Sequence, residues 1–204
     1  MDPEDVHRRW ADRSEEFSPE YYAEIGPNGV SETLAAVFDQ YVREDAPVLE
    51  VGCSSGRHLA HLLSAGYENL TGVDINDASF DVMAEYHPRL AEAGTFRVGT
   101  IEDLLPEMDD GAFDVVYSVE TLQHVHPDNA WVFDELVRVT DDLLITAENE
   151  GNSPRRGRTE GVSTVDEDVP LYHRDWKSVF SERGLAQLVH EPGPRDVVRA
   201  FRKL

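Results

Sequence analysis

Glu50, Gly52, Ser54 and Gly56 fall at alternate positions in Val48-Leu49-Glu50-Val51-Gly52-Cys53-Ser54-Ser55-Gly56, and Asp74 follows 24 residues after Glu50. Two carboxylates flanking a run of small residues suit a ligand that carries a cation at one end and hydroxyls further along. Glu50 lies two residues ahead of the first glycine, where an ionised carboxylate pairs with an ammonium group and repels a pyrophosphate. Asp74 ends the next apolar segment, Asn69-Leu70-Thr71-Gly72-Val73-Asp74, at about the one-crossover distance that sets an acid against both hydroxyls of a ribose. The dinucleotide spacing G-x-G-x-x-G is absent, since the loop reads Gly52-x-x-x-Gly56. His124, in Leu122-Gln123-His124-Val125, is the candidate general base or substrate-orienting group, because imidazole titrates near neutral pH. Cys53 is the only cysteine, so neither an internal disulfide nor a cysteine metal cluster can form; it reads as a small space-filler, and no metal site is expected.

Positioning such groups requires strands that end where the chemistry begins. Val48 to Val51 is apolar throughout, as a strand buried on both faces of a parallel sheet must be, and Pro47 marks its start. Gly52 and Gly56 leave room for a sharp turn with a ligand against it, and the helical pattern from Arg57 to Leu63 puts unpaired N–H groups at the loop exit. Thr95 to Val98, Phe113 to Ser118 and Leu143 to Ala147 supply further strands. A helix over Asp175 to Arg183 precedes a hairpin of Leu185 to His190 and Val197 to Phe201, joined by Glu191-Pro192-Gly193-Pro194-Arg195. Residues 1–45 read as a helical cap ahead of a domain over 46–204, with one helix over Glu4 to Arg13 and a second opened by Ser31 as N-cap. Asp128 is expected to cap a helix that buries Trp131, Phe133, Leu136 and Val137. Glu148 to Pro170 shows no period and reads as one long loop on the ligand side, carrying Arg155, Arg156 and Arg158 to recruit an anionic substrate.

Glu50-x-Gly52-x-Ser54-x-Gly56 resembles the first motif of class I S-adenosylmethionine (SAM)-dependent methyltransferases, with Ser54 in place of the usual third glycine. Phe113-Asp114-x-Val116 and Leu122-x-His124-Val125 resemble the same family's fourth strand and the segment after it, and the likeness spans about residues 30 to 204. The resemblance implies an α/β Rossmann-like fold: a seven-stranded sheet with helices on both faces and an antiparallel last strand. It implies SAM as cofactor, held by Glu50, Gly52, Cys53, Ser54 and Gly56 at the methionine end and by Asp74 with Ile75 at the ribose. Thr100, Ile101 and Glu102 would hold the adenine, and the Ser118 backbone would face the methionine. It also implies that the aromatic cap closes over cofactor and substrate, with Trp10, Tyr21 and Tyr22 lining the substrate pocket; Arg155 and Arg156 are substrate candidates on their own chemistry, as guanidinium groups suited to an anion.

Composition narrows the partners. Lys and Arg number 18 against 41 Asp and Glu, a net charge of −23, and just two of the bases are lysines. That field disfavours nucleic acid, whose phosphates need basic surface. It matches acid-rich surfaces from salt-loaded cytoplasms, where counterions screen self-repulsion. No apolar run is long enough to span a bilayer and the start, Met1-Asp2-Pro3-Glu4-Asp5, is acidic, so a cytoplasmic protein acting on a small molecule is expected, its oligomeric state open. Two alternatives stand beside a methyltransferase: a non-catalytic SAM- or nucleoside-binding sensor or partner subunit, and a nicotinamide-dependent oxidoreductase.

Overall fold

The computed structural model describes residues 1–151, 161–165 and 169–204. The main sheet contains β1 (Val48–Val51), β2 (Leu70–Asp74), β3 (Thr95–Val98), β4 (Phe113–Val119), β5 (Thr140–Glu148), β8 (Leu185–Pro192) and β9 (Val197–Lys203). Their order is β3-β2-β1-β4-β5-β9-β8. The first five run parallel, and β9 lies antiparallel to both β5 and β8. The order reverses at β1, so a crevice opens at the carboxyl ends of β1 and β4, where open α/β sheets bind ligands.

Alternation along the strands feeds two cores. Val48, Val115, Tyr117, Leu143 and Ile145 face one side, under α3 (Gly29–Tyr41), α4 (Arg57–Ser64) and α5 (Ala78–Tyr86). Leu49, Val51, Val116 and Leu144 face the other, with α7 (Ile101–Leu104), α8 (Val132–Val139) and α9 (Trp176–Ser181). Pro88–Ala93 forms α6, and α1 (Pro3–Ala11) and α2 (Pro19–Ile25) complete the cap over the sheet end.

Three local expectations are corrected. The N-cap before α3 is Asn28, whose Oδ1 accepts from the N–H of Val30 and Ser31, while the Ser31 hydroxyl accepts the N–H of Asn28 in return. Asp128 lies in a separate 3-10 turn, Pro127–Asn129, and caps nothing in α8; Phe133 and Leu136 are buried as expected, but Trp131 is 44% exposed and Val132 and Val139 complete the inward face in place of Trp131 and Val137. The expected loop after β5 contains a short antiparallel hairpin, β6 (Val162–Val165) and β7 (Val169–Tyr172). Arg155, Arg156 and Arg158 lie outside the described residues. No helix among the described residues is long and apolar enough to cross a membrane.

Candidate functional site

A cleft of about 1050 Å³, including its open mouth, sits at the carboxyl ends of β1, β2 and β4 beneath the cap. Glu50, Gly52, Cys53, Ser54, Asp74, Ile75, Thr100, Ile101, Glu102, His124 and Tyr22 all line it. Three of its lining residues, Phe17 (φ 65°), Ser54 (φ 48°) and Glu120 (φ 52°), hold left-handed backbone without being glycine. Such strain gathers where a site dictates the backbone.

Glu50 is 1% exposed and accepts a 2.8 Å hydrogen bond from the Tyr117 hydroxyl, its register partner on β4. Burial pushes its carboxyl up to about 8, the Tyr117 hydroxyl and the Arg57 charge pulling the other way. Glu50 is therefore a buried acid that a cation placed beside it would ionise. Asp74 ties the loop to β2: Oδ2 accepts the Ser54 N–H at 2.7 Å, and Oδ1 accepts from the Asn76 N–H at 2.9 Å and the Ser79 hydroxyl at 3.1 Å. A carboxylate has about four acceptor positions, so Asp74 keeps about one for a ligand hydroxyl, fewer than the two of a ribose. The short Ser54 bond also explains how serine holds a left-handed position where the resembling motif has glycine.

The two glycines serve packing as well as the turn. A Cβ on Gly52 (φ +70°) would fall 2.1 Å from the Thr121 hydroxyl, and one on Gly56 (φ +80°) 2.7 Å from both Leu90 and Met83. Gly56 thus makes room for helices α5 and α6, and is not a cleft residue.

Beyond β3, the Thr100 hydroxyl is engaged with Asp103, accepting its N–H at 3.0 Å and donating to its carboxylate at 2.8 Å. Glu102 accepts from Asn129 at 2.9 Å and pairs with His7 Nε2 at 3.1 Å, fastening α1 over this corner. Burial would raise Glu102, but the bonds from His7 and Asn129 prevail and hold its carboxyl low, while the His7 imidazole is raised mainly by Glu102. Asn76 adds a second tie, donating to the carbonyls of Trp10 and Arg13. Ile75 and Ile101 supply apolar surface between these polar groups.

Ser118 turns its side chain away from the cleft. It follows Tyr117, so its side chain takes the opposite sheet face from Glu50 and donates to Glu148 Oε1 at 2.7 Å, outside the cleft. Glu148 is fully buried and also accepts the N–H groups of Thr121, Leu122 and Gln123 at 3.0 to 3.2 Å, so this one carboxyl shapes the segment after β4. Burial raises it to about 7. His124 ends that segment. Its Nδ1 bonds the Pro170 carbonyl on β7 at 3.0 Å; a carbonyl only accepts, so Nδ1 carries the hydrogen and Nε2 keeps its lone pair. Burial lowers the imidazole to about 4, so it is neutral at pH 7. The Trp10 ring packs against it at 4.6 Å. Tyr22 lines the cleft, whereas Tyr21 stands behind it, edge-on to Phe17 and Tyr22 at 5.4 Å.

Arg57, His58, Arg13 and Glu120 also line the cleft, and sequence reading passed over them. Arg57 and His58 are the first two residues of α4, and their place directly after Gly56 was the available signal. The Arg57 guanidinium lies 4.8 Å from the Tyr22 ring centre; Arg13 stacks on Trp10 and Phe17 at 5.6 and 5.4 Å. His58 is 4% exposed and its Nε2 is a buried atom without a hydrogen-bond partner. Buried carboxyl, guanidinium and orphaned imidazole at one end, and Asp74 beyond them, fit an amino acid joined to a nucleoside.

Comparisons with known proteins agree. Residues 49–142 match a family model described as a methyltransferase domain. The O-antigen chain terminator bifunctional methyltransferase/kinase WbdD of Escherichia coli is 31% identical over 81 residues, which are 38% of this chain and 11% of that protein. The match therefore spans about a tenth of that relative's length. Among solved structures, the PH0226 protein of Pyrococcus horikoshii superposes with a TM-score of 0.68 at 20% identity, covering 96% of this chain and 95% of that one. The 1,6-didemethyltoxoflavin-N1-methyltransferase of Burkholderia thailandensis, solved with S-adenosylhomocysteine, gives a TM-score of 0.68 at 19% identity over 86% of this chain and 78% of that one. The methyltransferase-domain match covers the glycine loop and β1 to β4, and the seven-stranded sheet with its antiparallel last strand is the Rossmann-like methyltransferase fold of these solved structures.

Proposed function

We propose that the chain transfers a methyl group from SAM to a small-molecule acceptor. The observation that carries this is the pairing, in one cleft, of a buried acid, Glu50, at the β1 end with a second acid, Asp74, at the β2 end. SAM supplies a methyl group already made electrophilic by its sulfonium. Glu50 would hold its ammonium group, Asp74 a ribose hydroxyl, and Ile75 and Ile101 the faces of the adenine. Transfer of that kind needs positioning in a dry pocket more than it needs acid–base groups. The cap provides the dryness: Trp10, Phe17 and Tyr22 wall the cleft, and His7 and Asn76 hold α1 down.

His124 suits the acceptor end. Its Nε2 lone pair, left free by the Nδ1–H bond to the Pro170 carbonyl, can accept a hydrogen bond from an acceptor's N–H or O–H and orient it, whereas an imidazole lowered to about 4 is too weak a base to take that proton at neutral pH. A nucleic-acid acceptor is disfavoured by the net charge of −23, and the same charge suits a salt-loaded cytoplasm. Calorimetry in high salt with SAM, S-adenosylhomocysteine and NAD tests the cofactor: micromolar binding of the first two and none of NAD is expected, and the reverse would make the chain an oxidoreductase. Methyl transfer to members of a metabolite library then separates the enzyme from a sensor that binds SAM and transfers nothing.

A further inference from the structure

We propose that His58 donates its Nε2–H to the carboxylate of the cofactor's amino-acid end, and that Ser31 in the cap fixes the tautomer that makes this possible. The inference deepens the SAM reading and rests on it. Its starting point is an accounting problem: buried polar atoms in folded proteins are nearly always bonded, and His58 Nε2 is not. The other ring nitrogen, Nδ1, lies 2.9 Å from the Ser31 hydroxyl. That hydroxyl already accepts the Asn28 N–H at 3.0 Å, so its own hydrogen is free to be given away. Asn28 Oδ1 is 3.4 Å distant and is occupied by the N–H groups of Val30 and Ser31. The hydrogen goes to His58 Nδ1, the closer and emptier acceptor. Burial, with Arg57 and His61 adding to it, keeps the imidazole neutral, and a neutral ring that accepts at Nδ1 must carry its hydrogen at Nε2.

A donor is thus left unused on a residue that lines the cleft, buried just behind its surface, beside Arg57 and at the start of an eight-residue helix. Guanidinium, imidazole N–H and helix N-terminus together call for an anion. On the SAM reading the anionic group that reaches this end is the carboxylate, next to the ammonium assigned to Glu50. Ser31 belongs to the capping box of α3, so the same hydrogen bonds that start the cap helix also aim the cofactor contact.

The test compares two ligands: S-adenosylhomocysteine, which has the carboxylate, and 5′-methylthioadenosine, which keeps the nucleoside and lacks the amino-acid end. His58→Phe should weaken the first about tenfold or more and leave the second unchanged, as expected for loss of one hydrogen bond to a charged group. His58→Gln, which restores an N–H donor, should recover part of the loss, and Ser31→Ala should give a smaller loss with the same selectivity. Equal weakening of both ligands, or of neither, would overturn the inference. If the variants do not fold, long-range 1H–15N spectra of the unaltered protein decide: the Nε2–H tautomer supports the assignment and the Nδ1–H tautomer refutes it. Failure of the SAM reading itself is distinguishable, because the unaltered protein would then bind neither ligand.

Discussion

At the ends of β1 and β2 the cleft wall is a tight loop held by carboxylates close to it in sequence, Asp74 lying 20 residues from Ser54 and bonding its N–H at 2.7 Å. Beyond β4 the wall is an irregular segment whose shape depends on Glu148, at the far end of β5, which gathers three backbone N–H groups and one hydroxyl. The first region is self-contained and carries the proposed cofactor contacts. The second is assembled from distant pieces, with His124 locked to Pro170 across 46 residues. A ligand shared by a whole family needs the first kind of construction; an acceptor that differs between relatives can be served by the second.

That contrast can be broken by mutation. Glu148→Ala removes the single acceptor behind the β4 segment and strands buried donors, so it should cost about 3 kcal/mol or more of stability, read as a lower midpoint in urea. A loss below about 1 kcal/mol would mean that the segment holds its own shape. Asp74→Ala should cost less, about 1 to 2 kcal/mol of SAM binding, by calorimetry, together with a measurable loss of stability from the unpaired Ser54 and Asn76 N–H groups. Unchanged affinity would move the ribose elsewhere. Ser54→Gly should stabilise the protein by about 1 kcal/mol, since glycine takes the left-handed conformation that a Cβ resists; a lower melting temperature would show that the hydroxyl has a task of its own. Molar KCl should raise the melting temperature by at least a few degrees by screening the net charge of −23, in both regions alike, and a flat salt response would refute adaptation to a salt-loaded cytoplasm.

What the sequence revealed follows the same division. The strands stand out as apolar runs ended by acids, and the glycine loop is recognisable from residues 48–56 alone. The orientation of Ser118 is a matter of counting along β4, but its partner Glu148 becomes visible only once β4 and β5 are paired. Gly56 looks like ligand space until α5 and α6 are placed against it. Val162–Val165 is four residues of weak alternation in a polar stretch, too short to outweigh its neighbours before β7 is known to pair with it. Arg57 and His58 were in plain view after the loop, yet nothing local says that His58 lines the cleft or that one of its nitrogens is buried without a partner.

Glu50 offers the most direct test of the whole account. Its ordinary value is near 4.5 and burial raises it to about 8, so in the ligand-free protein it is protonated at pH 7. Because the folded value lies above the unfolded one, Glu50 favours folding fully below about pH 4.5 and loses that contribution as pH rises through about 8. An ammonium group beside it reverses the preference and drives the proton off. Calorimetry of SAM binding at pH 7, in buffers of different ionisation enthalpy, should therefore report release of close to one proton, with affinity tightening from pH 6 to 8 and the release lost in Glu50→Gln. Binding without proton release, at an affinity flat across that range, would contradict the pairing of Glu50 with the cofactor's ammonium group.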